Sequence, residues 1–359
     1  MTTPTLERPS GGDRASLPLT APQLPPVAPL LSALMAVGAA VLVGLLLSWS
    51  LIPIVVLGWL LLLVVLPTWS LLLEGRRKAV DRMVTGLVWS TFALAMLPLL
   101  SLIWQVVAKG APALSVEFFT YSMRNVIGEG GGIYHAIVGT FLVTGLATLI
   151  SVPIGVLAAV YLVEYSSEGK VAKTVTFLVD VMTGIPSIVA GLFAFALFVL
   201  IFGPGIRMGF GGSVALSVLM IPIVVRATEE MLKLVPDELR EASYALGVPK
   251  WRTIVKVVLP TALSGIVTGI TLAIARVAGE TAPLLIIAGS ATSMNWNPFS
   301  ERMATLPVFI FSSITETGRY PEAQTQRAWG AALVLIMIVM ALNLIARVIG
   351  RVFAPKTGR

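Results

Sequence analysis

The stretch EASYALGVPKWRTIVKVVLP, Glu241 to Pro260, is the longest strongly polar helical segment of an otherwise apolar chain. Just ahead of it, Pro236 suits the first turn of a helix, where a missing N–H costs nothing. Asp237 and Glu238 suit the positive end of that helix's dipole. Gly247 supplies a left-handed stop, and Pro249 opens a second helix that continues into the next apolar run. The spacing therefore predicts a helix, a glycine turn and a second helix lying beside a membrane. With Arg240, Lys250, Arg252 and Lys256 on it and no catalytic constellation, the element is built to dock into something. The plainer alternative is an amphipathic helix resting on lipid with no partner.

Working outward, the residues are 57% hydrophobic and only 12% charged, so most of the chain belongs in lipid or against other membrane helices. Runs of about twenty apolar residues are membrane spans rather than a soluble core. A net charge of +7 raises nucleic acid as a partner, but no basic-aromatic face accompanies it, so lipid is the expected contact. No cysteine is present, which excludes disulfides and thiolate metal sites. The single histidine, His135, opens a span and reads as an interfacial residue. No cofactor or metal site is expected.

In order along the chain, residues 1–27 are rich in Pro, Ser and Thr and read as a disordered cytoplasmic tail. Eight spans follow, at about 28–48, 51–73, 83–108, 135–163, 174–203, 213–235, 257–289 and 327–349, so the fold class is an all-α integral membrane protein. The sixth is the weakest. Its uninterrupted core, Val214–Val225, makes about 18 Å of helix, short for a bilayer. It must extend past Arg226 and Glu229, with those charges held against neighbouring helices or near the surface. Counting it is tested by charge. With the docking element inside, both termini are cytoplasmic, 18 of the 25 Lys and Arg fall on the cytoplasmic side and six outside. Dropping the span spoils that asymmetry.

Composition breaks at Glu74–Arg82. The expected organisation is an extra transmembrane hairpin at 28–73, a transport core at 83–350 containing the docking loop at 236–260, and a cytoplasmic tail at 351–359. Within the core, Arg276 and Glu280 lie four residues apart and can pair on one helix. They either line an anion path, since an arginine fork suits oxyanions, or form a structural ion pair. Gly279 and Pro283 flank the glutamate and loosen the helix there. Gly265, Gly269 and Ala273 form a small-residue stripe that lets another helix approach, as in a dimer of membrane chains. Gly184–Gly191, GIPSIVAG, breaks a span as pathway backbone or as a packing kink. Leu306–Phe311 reads as a short re-entrant or interfacial helix, and Gly128–Gly132, GEGGG, as a flexible turn. There is no G-x4-G-K-[ST], so the chain is not expected to hydrolyse ATP, and one histidine leaves no set for a membrane enzyme.

The residues Glu241, Ala242, Gly247, Leu259 and Pro260 match E-A-A-x3-G-x9-I-x-L-P, with Ser243 and Val257 as conservative departures. This resembles the loop by which ABC-importer permeases fit a cleft on their ATPase. The stretches at 131–165, 183–195, 221–260, 275–285 (ARVAGETAPLL), 306–311 and 326–335 resemble the phosphate-specific branch, the partner designated A. The resemblance implies a bacterial inner-membrane permease paired with a homologous second permease, two copies of an ATPase, and an external phosphate-binding protein. It places Arg276 and Glu280 on the transport path. It leaves another oxyanion, sulfate or molybdate, as the alternative cargo. Six spans are usual in that family, so the hairpin before residue 74 departs from it.

Overall fold

The computed structural model describes residues 23–165, 169–316 and 318–353. Most of the expected tail at 1–27 and the end of the tail at 351–359 lie outside them. Every regular element described is helical. Seven helices are long and apolar enough to cross a membrane, or eight if one bent pair is a single span. The chain forms two compact units, divided at Leu102–Ile103, inside a helix rather than at the compositional break of residues 74–82.

The first unit contains α1 (Ala28–Leu46), α2 (Leu51–Leu73) and most of α3 (Arg76–Gly110). Leucines and valines dominate the hairpin sequence, yet they face outward. The contact of α1 is its small stripe, Ser32, Ala36, Ala40 and Gly44, all buried. Ile54 fills the space beside Gly44, and a Cβ on Gly58 would sit 3.4 Å from Ala40. In lipid, where apolar side chains gain nothing by leaving the solvent, close backbone approach is what holds helices together. Glu74 closes the α2–α3 turn. Its carboxylate accepts from Arg82 Nε at 2.9 Å, Ser70 Oγ at 2.7 Å and the Leu24 N–H at 2.8 Å. Those bonds, Arg82's first, hold its pKa down to about 2.

In the second unit the helices are α4 (Val116–Thr120), α5 (Tyr134–Val160), α6 (Lys170–Thr183), α7 (Ser187–Phe202), α8 (Gly209–Lys233), α9 (Asp237–Ala245) and α10 (Lys250–Thr253). They are followed by α11 (Leu259–Val277), α12 (Ala282–Ile287), α13 (Leu306–Thr315) and α14 (Pro321–Phe353). One π-turn, Tyr161–Tyr165, ends α5, and another, Ile254–Val258, joins α10 to α11. The hub is α8, which packs against α5, α6, α7, α11 and α12. This is the span with the weakest apolar run, and it spans because its polar end is partnered. Arg226 bonds Glu229 at 2.8 Å and also pairs with Asp180 of α6, while Lys233 bonds Glu229 at 2.7 Å.

The fifth expected span is interrupted where the sequence placed its break: α6 and α7 are bent by 109° at Gly184-Ile185-Pro186. Pro186 supplies no N–H to continue α6 and caps α7 instead. The seventh ends at Val277 rather than continuing to residue 289. The Gly265–Gly269–Ala273 stripe closes α11 onto α8 of the same chain. Met231 fills the space beside Gly265, and a Cβ on Gly269 would lie 2.6 Å from that of Ala227.

Candidate functional site

The 236–260 element is built as its local signals require. Pro236 caps α9 and Asp237 and Glu238 occupy its first turn. Gly247 stops it at φ +74°, a conformation that costs an L-residue steric strain, and Pro249 caps α10. The hydroxyls of Ser243 and Thr253, both buried, lie 2.8 Å apart and tie α9 to α10. That bond gives Ser243, a departure from alanine in the motif, a physical role.

Arg240 does not face outward as a docking charge. It turns inward, with its side chain only 13% exposed, onto Glu164 at the end of α5, itself 4% exposed. Its Nε and Nη2 donate to Glu164 Oε1 at 3.1 and 2.9 Å. Nη2 also donates to the Leu232 carbonyl at 2.9 Å, and Nη1 to the Val235 carbonyl at 2.6 Å and Asp237 Oδ1 at 3.0 Å. One guanidinium thus fastens α9 to the ends of both α5 and α8. Glu164 escaped the sequence reading; its signal is a lone carboxylate closing an apolar run, YLVEY at Tyr161–Tyr165. Lys250 adds a contact over the Tyr165 ring, 5.3 Å to its centre.

Of the motif residues, Glu241, Ala242, Gly247 and Pro260 are exposed and Leu259 is half-buried. Beside them stand Leu239, Tyr244, Leu246 and Trp251, all exposed, with Leu246 at 83%. A rigidly stapled element with an outward apolar face has the anatomy of an interface core.

Arg276 and Glu280 occupy a different place. Because α11 ends at Val277, the two are not stacked on one helix. The N–H of Gly279 turns back to the Arg276 carbonyl at 3.4 Å and that of Glu280 to Val277 at 3.1 Å. The structural ion pair, the alternative to an anion path, is not formed: neither side chain bonds or pairs with any described residue. Arg276 is exposed and Glu280 half-buried. The helix that follows them, α12, packs on α7. A Cβ on Gly191 would lie 2.6 Å from Pro283 Cα, so α7 and α12 meet at backbone distance. The contact joins the first turns of two helices that each start just after an interruption. Among the described residues no three His, Cys, Asp or Glu gather as metal ligands.

Residues 151–359 match the family model of binding-protein-dependent transport system inner membrane components. Relatives include the phosphate transport system permease protein PstA 1 of Mycobacterium tuberculosis strain H37Rv, 48% identical over 76% of this chain and 88% of its own length. The PstA protein of Yersinia pestis is 41% identical over 79% of this chain and 96% of its own. Among solved structures, a bacterial alginate ABC transporter aligns with a TM-score of 0.54 at 16% identity, covering 78% of this chain and 97% of that one. The inward-facing methionine transporter MetNI aligns with a TM-score of 0.50 at 23% identity, covering 62% and 95%. These two share the fold.

Proposed function

Since the chain belongs to the family of binding-protein-dependent transport system inner membrane components, we propose that it is one of two permease chains of an ATP-driven phosphate importer. The observation that carries the substrate is the similarity to phosphate transport permeases, 48% and 41% identical over most of their length. The observation that carries the mechanism is the stapled element at 236–260 with its exposed apolar face.

In this reading both termini are cytoplasmic, and Glu241, Ala242, Gly247, Leu259 and Pro260 form the surface that seats in an ATPase subunit. Two ATPase copies, one for each permease chain, close on ATP. The 236–260 element then moves as a rigid body and drives the helices between inward- and outward-open states. Arg240 carries the motion into α5 and α8. The anion, delivered by an external binding protein, passes the region where Arg276 and Glu280 stand between α11 and α12. An unpaired arginine offers an oxyanion a fixed fork of donors, which a guanidinium committed to a structural pair would not. The hairpin at 28–73 stands outside this transport core.

Uptake of labelled phosphate tests the reading, in cells lacking their own high-affinity importer and supplied with this chain and its partners. Wild type restores ATP-dependent uptake, and Arg276→Gln abolishes it at equal abundance and equal thermal stability, because the arginine holds no partner among the described residues. Restoration of sulfate or molybdate uptake in place of phosphate overturns the substrate. Uptake that survives loss of the ATPase overturns the mechanism in favour of an ion-coupled carrier.

A further inference from the structure

The strongest cluster not used above lies at the other end of α8 from the docking element. With 25 residues, α8 separates the two by about 37 Å. Two backbone bonds build the cluster. The Met208 N–H donates to the Ile287 carbonyl at 3.0 Å, and the Met303 N–H donates to the Ala288 carbonyl at 3.1 Å. The residues immediately before them, Arg207 and Arg302, are thereby brought together over the end of α12. Gly289, at φ +75°, makes the room: a Cβ there would lie 3.3 Å from the Cδ of both arginines. Asn295 fixes the Arg302 side by donating to the Ser300 and Arg302 carbonyls at 2.7 and 3.2 Å. Around them opens a cavity of about 430 Å³, bordered also by Ser290, Ser293 and Glu301. Glu301 pairs with neither arginine, and neither has another partner among the described residues.

We propose that Arg207 and Arg302 form an outer receiving site for a tetrahedral oxyanion, separate from Arg276. Two cations whose stems converge on one glycine repel each other, and on a surface free to rearrange they would part. Here the backbone bonds at Met208 and Met303 hold them together. An oxyanion between them relieves that repulsion and accepts from both planar forks, with the Ser290 and Ser293 hydroxyls within the same cavity. The site and Glu280 stand at opposite ends of α12, a rod of six residues rising about 9 Å. An anion held at the first is one short helix from the second. That this is the receiving side rests on the import reading; the anion site itself does not.

The test uses the purified assembled transporter and phenylglyoxal, a reagent for free guanidinium groups, with modification of each arginine followed by mass spectrometry. Inorganic phosphate at ten times its dissociation constant leaves about one site in eleven empty, so Arg207 and Arg302 should react about tenfold more slowly together. Sodium chloride at matched ionic strength should not protect. Arg207→Gln should remove the protection at Arg302. Protection by neither phosphate nor sulfate, or protection by chloride equally, overturns the site. So does a loss of binding-protein-stimulated ATPase in Arg207→Gln/Arg302→Gln with no protection by phosphate in wild type, which would make the pair a docking contact. If sulfate protects both and phosphate does not, the oxyanion site stands and the phosphate reading of the whole chain falls.

Discussion

The staple at Arg240 makes the sharpest prediction. Arg240→Met keeps the length of the stem and removes every donor. Glu164, 4% exposed, is then a buried carboxylate with no cation, and removing one member of a buried pair costs about 3–5 kcal/mol. The Leu232 and Val235 carbonyls also lose a donor, but that loss is part of the same undocking and is not added. The Asp237 contact contributes little, because its side chain is 87% exposed. Taking the lower bound, about 3 kcal/mol shifts the docking equilibrium of α9 by about 150-fold. Native-state hydrogen exchange of the assembled transporter should therefore show the α9 amides exchanging at least about 150-fold faster, with those of the α8 centre unchanged. Uptake should fall while ATP hydrolysis becomes uncoupled from it.

Glu164→Gln should be milder, since its amide oxygen still accepts from Arg240. The exchange Glu164→Arg with Arg240→Glu should not rescue, because the Leu232 and Val235 carbonyls face position 240 and repel a carboxylate. Wild-type protection of α9 in Arg240→Met, or full rescue by the exchange, would refute the account of a carbonyl-anchored staple.

Other positions answer in different ways. A Cβ added at Gly247 would meet no atom within 4 Å, so only φ opposes substitution. Gly247→Val should cost about 1–2 kcal/mol and abolish uptake with the protein still in the membrane, whereas Gly247→Asn, tolerant of the left-handed region, should retain most of it. At Gly139 the reverse holds: φ is ordinary, but a Cβ would meet the Ala304 carbonyl oxygen. Gly139→Ala should lower thermal stability by about 1–3 kcal/mol, read as a shifted unfolding midpoint. Glu74 sets an acid limit on the first hairpin. Its folded pKa of about 2 lies below its ordinary 4.5, so its contribution is complete above pH 4.5 and is lost as pH falls towards 2. Glu74→Gln should be less stable at neutral pH and flatter between pH 4.5 and 2, followed by thermal unfolding.

What the sequence made legible was what neighbours along the chain decide. Pro236, Gly247 and Pro249 each act through their own backbone, so the two helices and the turn between them could be placed without knowing the fold. The positive-inside count rescued α8, whose short apolar run alone argued against it. What stayed hidden depends on partners far along the chain. Arg240 looked like a docking charge because its acceptor, Glu164, is 76 residues earlier, and the inward turn exists only once α5 and α8 lie side by side. The small stripe of α11 announced a close helix without saying that Met231 and Ala227 of the same chain supply it.

The two helix breaks show where these kinds of information meet. Gly184-Ile185-Pro186 and Gly279–Pro283 each declared an interruption, but a proline can produce a slight kink or a 109° bend, and nothing local chooses between them. The choice falls to the packing of Gly191 on Pro283, which brings α7 to α12 at backbone distance. A residue with any side chain at 191 would hold those helices apart, α12 would lose its seat, and Glu280 would move with it. The seat of α12, and with it the place of Glu280, is thus set by a glycine outside both charged residues, and a search confined to charges in the membrane would pass over it.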